Sequence, residues 1–219
     1  MGTLAHQLSG ARVEAAQKLA AAGKKESSEL DMSQVDFDVS VTSQPSPEGI
    51  PLPDGETYQF NATGVDIVEF IASTNPGEPL KPLARIASTG EISRFMLALK
   101  SALAEADTIP VLIFDEIDIG VGGRSGEVIG RKLWNLSRSH QVICVTHLPQ
   151  IAAFADAHYS VSKRSAGDRT VSTIEILQGD PRLDELAVMI GGSAYTSNAL
   201  SAARELVQKA ETWKNSLHR

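Results

Sequence analysis

The segment Val-Leu-Ile-Phe-Asp-Glu, residues 111–116, joins four uninterrupted apolar residues to two adjacent carboxylates. An apolar run of this length is typical of a strand that is covered on both faces, as in the middle of a parallel sheet. Asp115 and Glu116 then stand at the carboxyl end of the strand, where open α/β sheets bind their ligands. A buried strand that ends in an acidic turn explains the same residues, so this motif alone leaves both interpretations open.

A second apolar run, residues 142–145, ends at Thr146 and His147. Between the two runs lie a glycine-rich turn, residues 117–123, and a helix predicted over residues 125–138 from the spacing of its apolar side chains. Strand, helix and strand in this order predict a βαβ unit with parallel strands and a right-handed crossover. His147 is therefore expected at the same sheet edge as the carboxylates. A histidine that is otherwise an ordinary turn residue becomes a candidate for the site.

A helix is also predicted upstream, over residues 88–103, and its apolar face consists of Ile92, Phe95, Met96, Leu99 and Leu103. Its first four residues are Ser-Thr-Gly-Glu, and the serine and glutamate fit the capping-box pattern, which is a complete structural explanation. A turn of small residues at a helix N-terminus also offers backbone N–H groups to an anion such as phosphate. Both explanations can hold at once.

The chain begins with a helix predicted over residues 3–22, which Gly23 would end. Steps of four and three, the coiled-coil spacing, connect Leu4, Leu8, Ala11, Ala15, Lys18 and Ala22. Three weak heptads indicate a coiled coil or an ordinary packed helix equally.

The remaining elements are predicted from alternation and turn residues. Strands are predicted over residues 35–41, 58–61 and 65–72, with a turn at residues 75–77. Residues 43–56 carry four prolines and two glycines, which predicts an exposed loop. The later part of the chain is predicted to contain a short helix at residues 148–154, a hairpin of residues 158–163 and 170–177 around a turn at 165–168, and helices at 183–190 and 196–214.

Composition restricts the class of protein only broadly. With 219 residues, of which 42% are hydrophobic and 21% charged, the chain can bury one core, or a core and a small appendage. A net charge of −7 argues against a surface that is basic throughout, although it allows a local basic patch. No apolar run approaches transmembrane length and no signal peptide is recognisable, so a cytoplasmic protein without membrane contact is expected. Cys144, the only cysteine, lies in an apolar run and is expected to be a buried structural thiol.

Four motifs, in order and in spacing, resemble those of the ATP-binding-cassette (ABC) ATPases. Residues 87–94 resemble the signature motif, 111–116 the Walker B strand, 118–123 the D-loop region and His147 the switch histidine. Within that family the chain is most similar to the structural-maintenance-of-chromosomes (SMC) group and its bacterial DNA-repair members. That closer similarity rests on residues 87–100, 115–120, 146–152, 184–187 and 191–192.

The resemblance implies an α/β fold that forms the C-terminal half of an ABC/SMC-type ATPase head. Such a half-head has a parallel-sheet core with flanking helices, a β-subsheet and a coiled-coil stub. On this interpretation, residues 3–25 are the returning end of a coiled-coil arm and residues 26–219 are the half-head.

In such ATPases, ATP is bound between two heads, and the resemblance assigns roles to individual residues. Asp115 would hold Mg²⁺ through its hydration shell, and Glu116 would orient or deprotonate the attacking water. His147 would contact the γ-phosphate. The residues implied to reach the nucleotide of the opposite head, or to lie in the interface of the dimer, are Ser88, Thr89, Gly90, Glu91 and Asp118.

Two features depart from the family pattern. Thr89 stands where the signature motif usually has a second glycine, which narrows the approach of a phosphate to the backbone. No Gly-x-x-x-x-Gly-Lys-Ser/Thr occurs in the 219 residues, so the loop that cradles phosphate is absent. The implied partners are an N-terminal half-head that carries this loop, a second head and DNA. The implied setting is double-strand break repair and recombination at the nucleoid.

Two alternatives belong to other classes of protein. Residues 115–118, Asp-Glu-Ile-Asp, match the box of DExD-type helicases, which explains neither residues 88–94 nor the position of His147. A non-catalytic half-domain, which only dimerises or anchors a coiled coil, would not require both Asp115 and Glu116.

Overall fold

The computed structural model describes residues 1–73, 75, 77–86, 89–166 and 169–217. These residues form two compact units, Met1–Asp107 and Thr108–Arg219, each with its own core. None of the described helices is long and apolar enough to cross a membrane. The predicted turns at residues 75–77 and 165–168 include positions outside the described residues.

The first unit packs helices on an antiparallel sheet of order β1-β4-β5, beside a two-stranded sheet of β2 and β3. Its elements are α1 (Gly2–Glu29), β1 (Asp36–Ser43), β2 (Pro45–Pro51), β3 (Thr57–Tyr58), β4 (Asp66–Ser73), β5 (Lys81–Pro82), a 3₁₀ turn (Leu83–Arg85) and α2 (Thr89–Ala102). The centre of its core is Phe37 of β1, whose ring centroid lies 4.9 Å from that of Phe95 in α2. The predicted apolar face of α2 is therefore confirmed at its middle.

Helix α1 continues to Glu29, so the prediction that Gly23 ends it is wrong. Gly23 lies on the buried face of the helix, where an added Cβ would stand 3.0 Å from the Phe37 ring, and the close approach of helix and strand is the reason for the glycine. A salt bridge of 2.7 Å from Arg12 to Asp66 ties the same face to β4. The predicted coiled-coil positions lie on the other face, where Leu4 is 70% exposed.

The proline-rich range, residues 43–56, is not simply the exposed loop that its composition predicts. It contains β2, which pairs antiparallel with β3, with a register shift. Proline is tolerated there because a strand in a two-stranded sheet does not need every N–H as a donor. At Gly49 an added Cβ would lie 2.1 Å from the Tyr58 carbonyl oxygen, so the two backbones approach too closely for a side chain. The strand predicted over residues 58–61 is correspondingly wrong beyond Tyr58.

The second unit contains the predicted βαβ unit, followed by a hairpin and two helices. Its elements are β6 (Val111–Phe114), α3 (Gly123–Leu136), β7 (Gln141–Cys144), α4 (Pro149–Ala152), β8 (His158–Ala166), β9 (Arg169–Leu177), α5 (Asp180–Gly191) and α6 (Ser197–Ser216). Strands β6 and β7 are parallel, and β8 and β9 form an antiparallel hairpin, as predicted.

Strand β6 is buried on one face only, which corrects the prediction that both faces are covered. Leu112 and Phe114 are buried, whereas Val111 is 40% and Ile113 68% exposed. Within the described part of the chain, β6 and β7 form a sheet of two strands, and α3 contacts this sheet at β7. The described residues therefore cover one face of this apolar run and leave the other exposed.

Glycines on one face of α3 allow α4 to pack unusually close. An added Cβ at Gly126 would lie 3.2 Å from the Gln150 side chain, and one at Gly130 would lie 2.6 Å from the Phe154 ring. Phe154 is buried against Trp213 of α6, with ring centroids 5.7 Å apart, so it has little room to move. The segment that follows His147 is thus held against α3 by packing.

We expect Gly130→Ala to destabilise the chain by about 1–2 kcal/mol. The overpacking penalty exceeds the gain in helix propensity that alanine brings. Urea unfolding, followed by circular dichroism, measures the change. Gly10→Ala in α1 is the control, because an added Cβ there meets no atom within 4 Å and should stabilise the helix slightly. Equal stabilisation by both substitutions would contradict the close packing.

Candidate functional site

The two parallel strands end side by side, which brings the sequence-predicted residues to one sheet edge. Phe114 pairs with Cys144, and the Val145 N–H donates to the Phe114 carbonyl oxygen at 2.9 Å. Asp115 and Glu116 follow β6 directly and are exposed. The prediction that His147 lies at the same sheet edge as Asp115 and Glu116 is confirmed.

Glu116 has a φ of +57°, in the left-handed region that residues other than glycine rarely occupy. Its own N–H donates to Oδ1 of Asp115 at 2.9 Å, and its carbonyl accepts from the Ile119 N–H at 3.3 Å. A side chain held in this backbone conformation costs on the order of 1 kcal/mol, and such positions cluster at functional sites. The strain therefore falls on the residue to which the resemblance assigns the catalytic carboxylate.

The side chain of Asp118 is 3% exposed, and it connects the turn after β6 to the end of β7. Its Oδ2 accepts from the Thr146 hydroxyl at 2.5 Å and from the His147 backbone N–H at 2.8 Å. The Thr146 hydroxyl oxygen in turn accepts from the Leu148 N–H at 3.0 Å. A buried carboxylate that accepts several hydrogen bonds is well compensated for the loss of water. The position predicted for Asp118 in a dimer interface stays a prediction.

The His147 ring lies at the surface, with its side chain 75% exposed. Its Nδ1 is 3.1 Å from Oδ2 of Asp118, the same oxygen that the backbone N–H of His147 reaches. One buried atom thus contacts this residue at two points. The backbone of His147 is held by a hydrogen bond to Asp118, and its exposed ring is accessible to a ligand.

Arg182, in the first turn of α5, supports the far end of the segment that follows His147. Its guanidinium donates to the carbonyl oxygens of Ala153 and Ala155 at 3.1 and 2.9 Å, just beyond α4. Burial, and then the Arg182 charge, lower the pKa of the neighbouring His158 below its ordinary value. Sequence reasoning missed both Arg182 and Thr146. The only signal for Thr146 was its place immediately before His147.

The residues of the signature motif belong to the first unit. Ser88 lies outside the described residues, so the capping box stays a prediction. Thr89 is the first residue of α2, Gly90 is buried and Glu91 is half-buried in the first turn.

Cys144 is half-buried at the end of β7, and its thiol is difficult to ionise. Burial, followed by the nearby charges of Asp118 and Asp115, raises the pKa of the thiol to about 12. The thiolate is the reactive form of cysteine, so the raised pKa fits the structural thiol that the sequence predicts.

We expect iodoacetamide to alkylate Cys144 in the folded chain at pH 8 roughly a thousandfold more slowly than in urea. The pKa rises from 9.0 to about 12, which reduces the thiolate fraction by that factor. Because the folded thiol has the higher pKa, its effect on stability is present below pH 9 and is lost as the pH rises towards 12. N-acetylcysteine controls for the reagent in both solvents. Similar rates in the folded and unfolded chain would contradict the shift.

Comparison with known proteins identifies what the chain resembles. It is 41% identical over 210 residues to the DNA repair protein RecN of Streptomyces coelicolor, and 43% identical over 215 residues to that of Mycobacterium leprae. These alignments cover 96% and 95% of this chain. The chain resembles RecN over almost its whole length. The resemblance read from the motifs is confirmed, although no family model matches the sequence.

The chain spans about a third of the length of these RecN proteins, 36% of each. Among solved structures it is similar to the Smc head domain with a coiled coil and joint from Pyrococcus yayanosii, with a TM-score of 0.51 and 20% identity. That similarity covers 78% of this chain and 28% of the solved one. The fold of the RecN-like chain is therefore that of part of an SMC-type head, as predicted.

Proposed function

We propose that this RecN-like chain is the half of an SMC-type ATPase head that supplies the Walker B carboxylates and the switch histidine. The single observation that carries the proposal is the parallel register of β6 and β7. It brings Asp115 and Glu116 to the same sheet edge as His147. The ends of parallel strands are where open α/β sheets bind nucleotides, so both the chemistry and the position of these groups suit ATP.

Asp115 is proposed to hold Mg²⁺. Among the described residues there is no cluster of three or more histidine, cysteine, aspartate or glutamate side chains that could hold a metal by itself. Magnesium needs no such cluster, because it is usually bound by one or two carboxylates together with waters and phosphate oxygens. An exposed carboxylate at this edge fits that donor set. The bound Mg²⁺ would neutralise charge on the phosphates.

Glu116 and His147 are proposed to act on the attacking water and the γ-phosphate. A general base needs a carboxylate within hydrogen-bond reach of the water, and Glu116 is exposed on the turn directly after β6. Catalysis of phosphoryl transfer consists mainly of positioning and electrostatic stabilisation, which explains the value of rigid anchors for both residues. The strained backbone at Glu116 and the hydrogen bond from the His147 backbone N–H to Asp118 provide such anchors.

The phosphate-cradling loop is proposed to come from an N-terminal segment of the same protein. No such loop occurs in these 219 residues, and the related RecN proteins are almost three times as long as the matched part. Apolar side chains remain exposed on β6, on β7 and the residue after it, and on one face of the β8–β9 hairpin. They are Val111, Ile113, Ile143, Val145, Tyr159, Val161, Ile174 and Ile176. Faces of this kind mark interaction sites, and the missing half of the head is the occupant we propose.

A second head is proposed to complete each nucleotide site, with DNA as the substrate of the assembly. The residues offered to the opposite nucleotide would be Ser88, Thr89, Gly90 and Glu91, with Asp118 near the interface. The exposed face of α1, which includes Leu4 and Leu8, suits the partner strand of a coiled-coil arm. The RecN proteins to which the chain is similar are DNA repair proteins, which favours a role in double-strand break repair and recombination.

Co-expression with an N-terminal half that carries the phosphate loop tests the proposal. We expect the two halves to co-purify and to hydrolyse ATP with Mg²⁺, while the chain alone hydrolyses little or none. Glu116→Gln should reduce kcat by roughly 10²–10⁴-fold, because a general base is lost while the side chain keeps its size. A coupled assay of phosphate release measures the turnover.

Glu211→Gln is the matched control, since Glu211 is an exposed glutamate of α6 with no part in the site. Its turnover should equal that of the unsubstituted pair. Full turnover of Glu116→Gln would overturn the assignment of the carboxylate. Stable halves that do not pair would favour the non-catalytic interaction module instead.

A further inference from the structure

We propose that Thr146 is a positioning residue, whose hydroxyl fixes the backbone of His147 at the sheet edge. The proposal rests on the proposed function for the role of His147 in phosphoryl transfer. The placement itself rests on three hydrogen bonds within the chain. It concerns the backbone of His147 and not its ring, and it adds to the site a residue that sequence reasoning missed.

The Thr146 hydroxyl is used both as a donor and as an acceptor. It donates to Oδ2 of Asp118 at 2.5 Å, in the turn after β6. Its oxygen accepts from the Leu148 N–H at 3.0 Å, at the start of α4. Both directions follow from the chemistry of the partners, because a carboxylate oxygen accepts and a backbone N–H donates. One side chain therefore joins three segments, which are the residues after β7, the turn after β6 and α4.

Helix α4 has no cap of its own, which explains why the hydroxyl is used in this way. Its N-cap residue is Leu148, which makes no side-chain hydrogen bond to the helix, and Pro149 after it has no N–H. The Leu148 N–H instead turns back to Thr146, two residues earlier, in a local turn that threonine and serine form through their hydroxyls. His147 is the middle residue of this turn, so the turn defines its backbone.

The carboxylate of Asp118 holds the same turn from the other side. The oxygen that accepts from the Thr146 hydroxyl also accepts from the His147 backbone N–H at 2.8 Å. The Asp118 side chain is 3% exposed, and hydrogen bonds gain strength where water is excluded. Loss of the hydroxyl would remove one donor from Asp118 and the acceptor from Leu148 together. The backbone of His147 would then lose the turn that defines it.

Amide hydrogen exchange of the chain without nucleotide, measured by NMR, tests the placement. Thr146→Val keeps the shape of the side chain without the hydroxyl, and Thr146→Ser keeps the hydroxyl. We expect the Leu148 amide to be protected in the unsubstituted chain, to exchange at least about tenfold faster in Thr146→Val, and to stay within about threefold in Thr146→Ser. An unprotected Leu148 amide in the unsubstituted chain would overturn the proposal, even if Thr146→Val does not fold. Equal rates in all three chains would also overturn it.

Turnover of the reconstituted head tests the consequence for the reaction. Thr146→Val should lower kcat by roughly 10–10²-fold with KM within about twofold, because a small displacement of a group that acts after ATP is bound affects the chemical step. Thr146→Ser should restore most of kcat. Thr212→Val is the matched control, since the Thr212 hydroxyl is exposed and donates within its own helix, to the Gln208 carbonyl oxygen at 2.8 Å. Unchanged kcat in Thr146→Val would contradict the proposal.

A double substitution separates positioning of His147 from general support of the fold. If Thr146 acts through His147, Thr146→Val should change kcat by less than about twofold in a His147→Ala background. A residue that only supports the fold would lower kcat by the same factor in both backgrounds, and that result would overturn the proposal. The exchange experiment needs no nucleotide or partner, so its failure refutes this proposal alone. The absence of turnover in the unsubstituted pair refutes the proposed function.

Discussion

The buried carboxylate of Asp118 is the interaction on which the site depends. Strands β6 and β7 end at the same edge because they are parallel, but strand ends by themselves do not fix the side chains that follow them. Oδ2 of Asp118 accepts from Thr146 and His147 and so fastens the turn after β6 to the end of β7. The Asp118 side chain is only 3% exposed, so its carboxylate is bound by protein hydrogen bonds instead of water. These hydrogen bonds hold the turn in one arrangement.

The surrounding structure supports this tie from both sides. Close packing at Gly130 holds the segment after His147 against α3, and Arg182 binds the carbonyl groups beyond α4. On the β6 side, the left-handed backbone of Glu116 places an exposed carboxylate at the start of the turn. Rigid supports beneath the exposed carboxylate and histidine suit the phosphoryl transfer proposed for this site, since its catalysis relies on positioning.

The sequence predicted the topology of the site well, because the order of strands and helix follows from local hydrophobic patterns. Two apolar runs separated by a helix were enough to bring His147 to the Asp115–Glu116 edge. Conformation was not predictable from these patterns: neither the positive φ of Glu116 nor the inward carboxylate of Asp118 has a signature in residue type alone. Gly23 failed as a helix end because tertiary packing against Phe37, rather than chain termination, requires the glycine. The prolines of β2 wrongly predicted a loop, because a short two-stranded sheet tolerates proline.

The exposed apolar face of β6 and β7 is the feature from which an incomplete head is inferred most directly. Hydrogen–deuterium exchange of residues 111–114 and 141–144, measured on the chain alone and with the segment that carries the phosphate loop, tests whether that face is covered. If the missing half completes the sheet, exchange at these amides should slow by at least about tenfold. Equal exchange rates in the two samples would contradict the half-head interpretation.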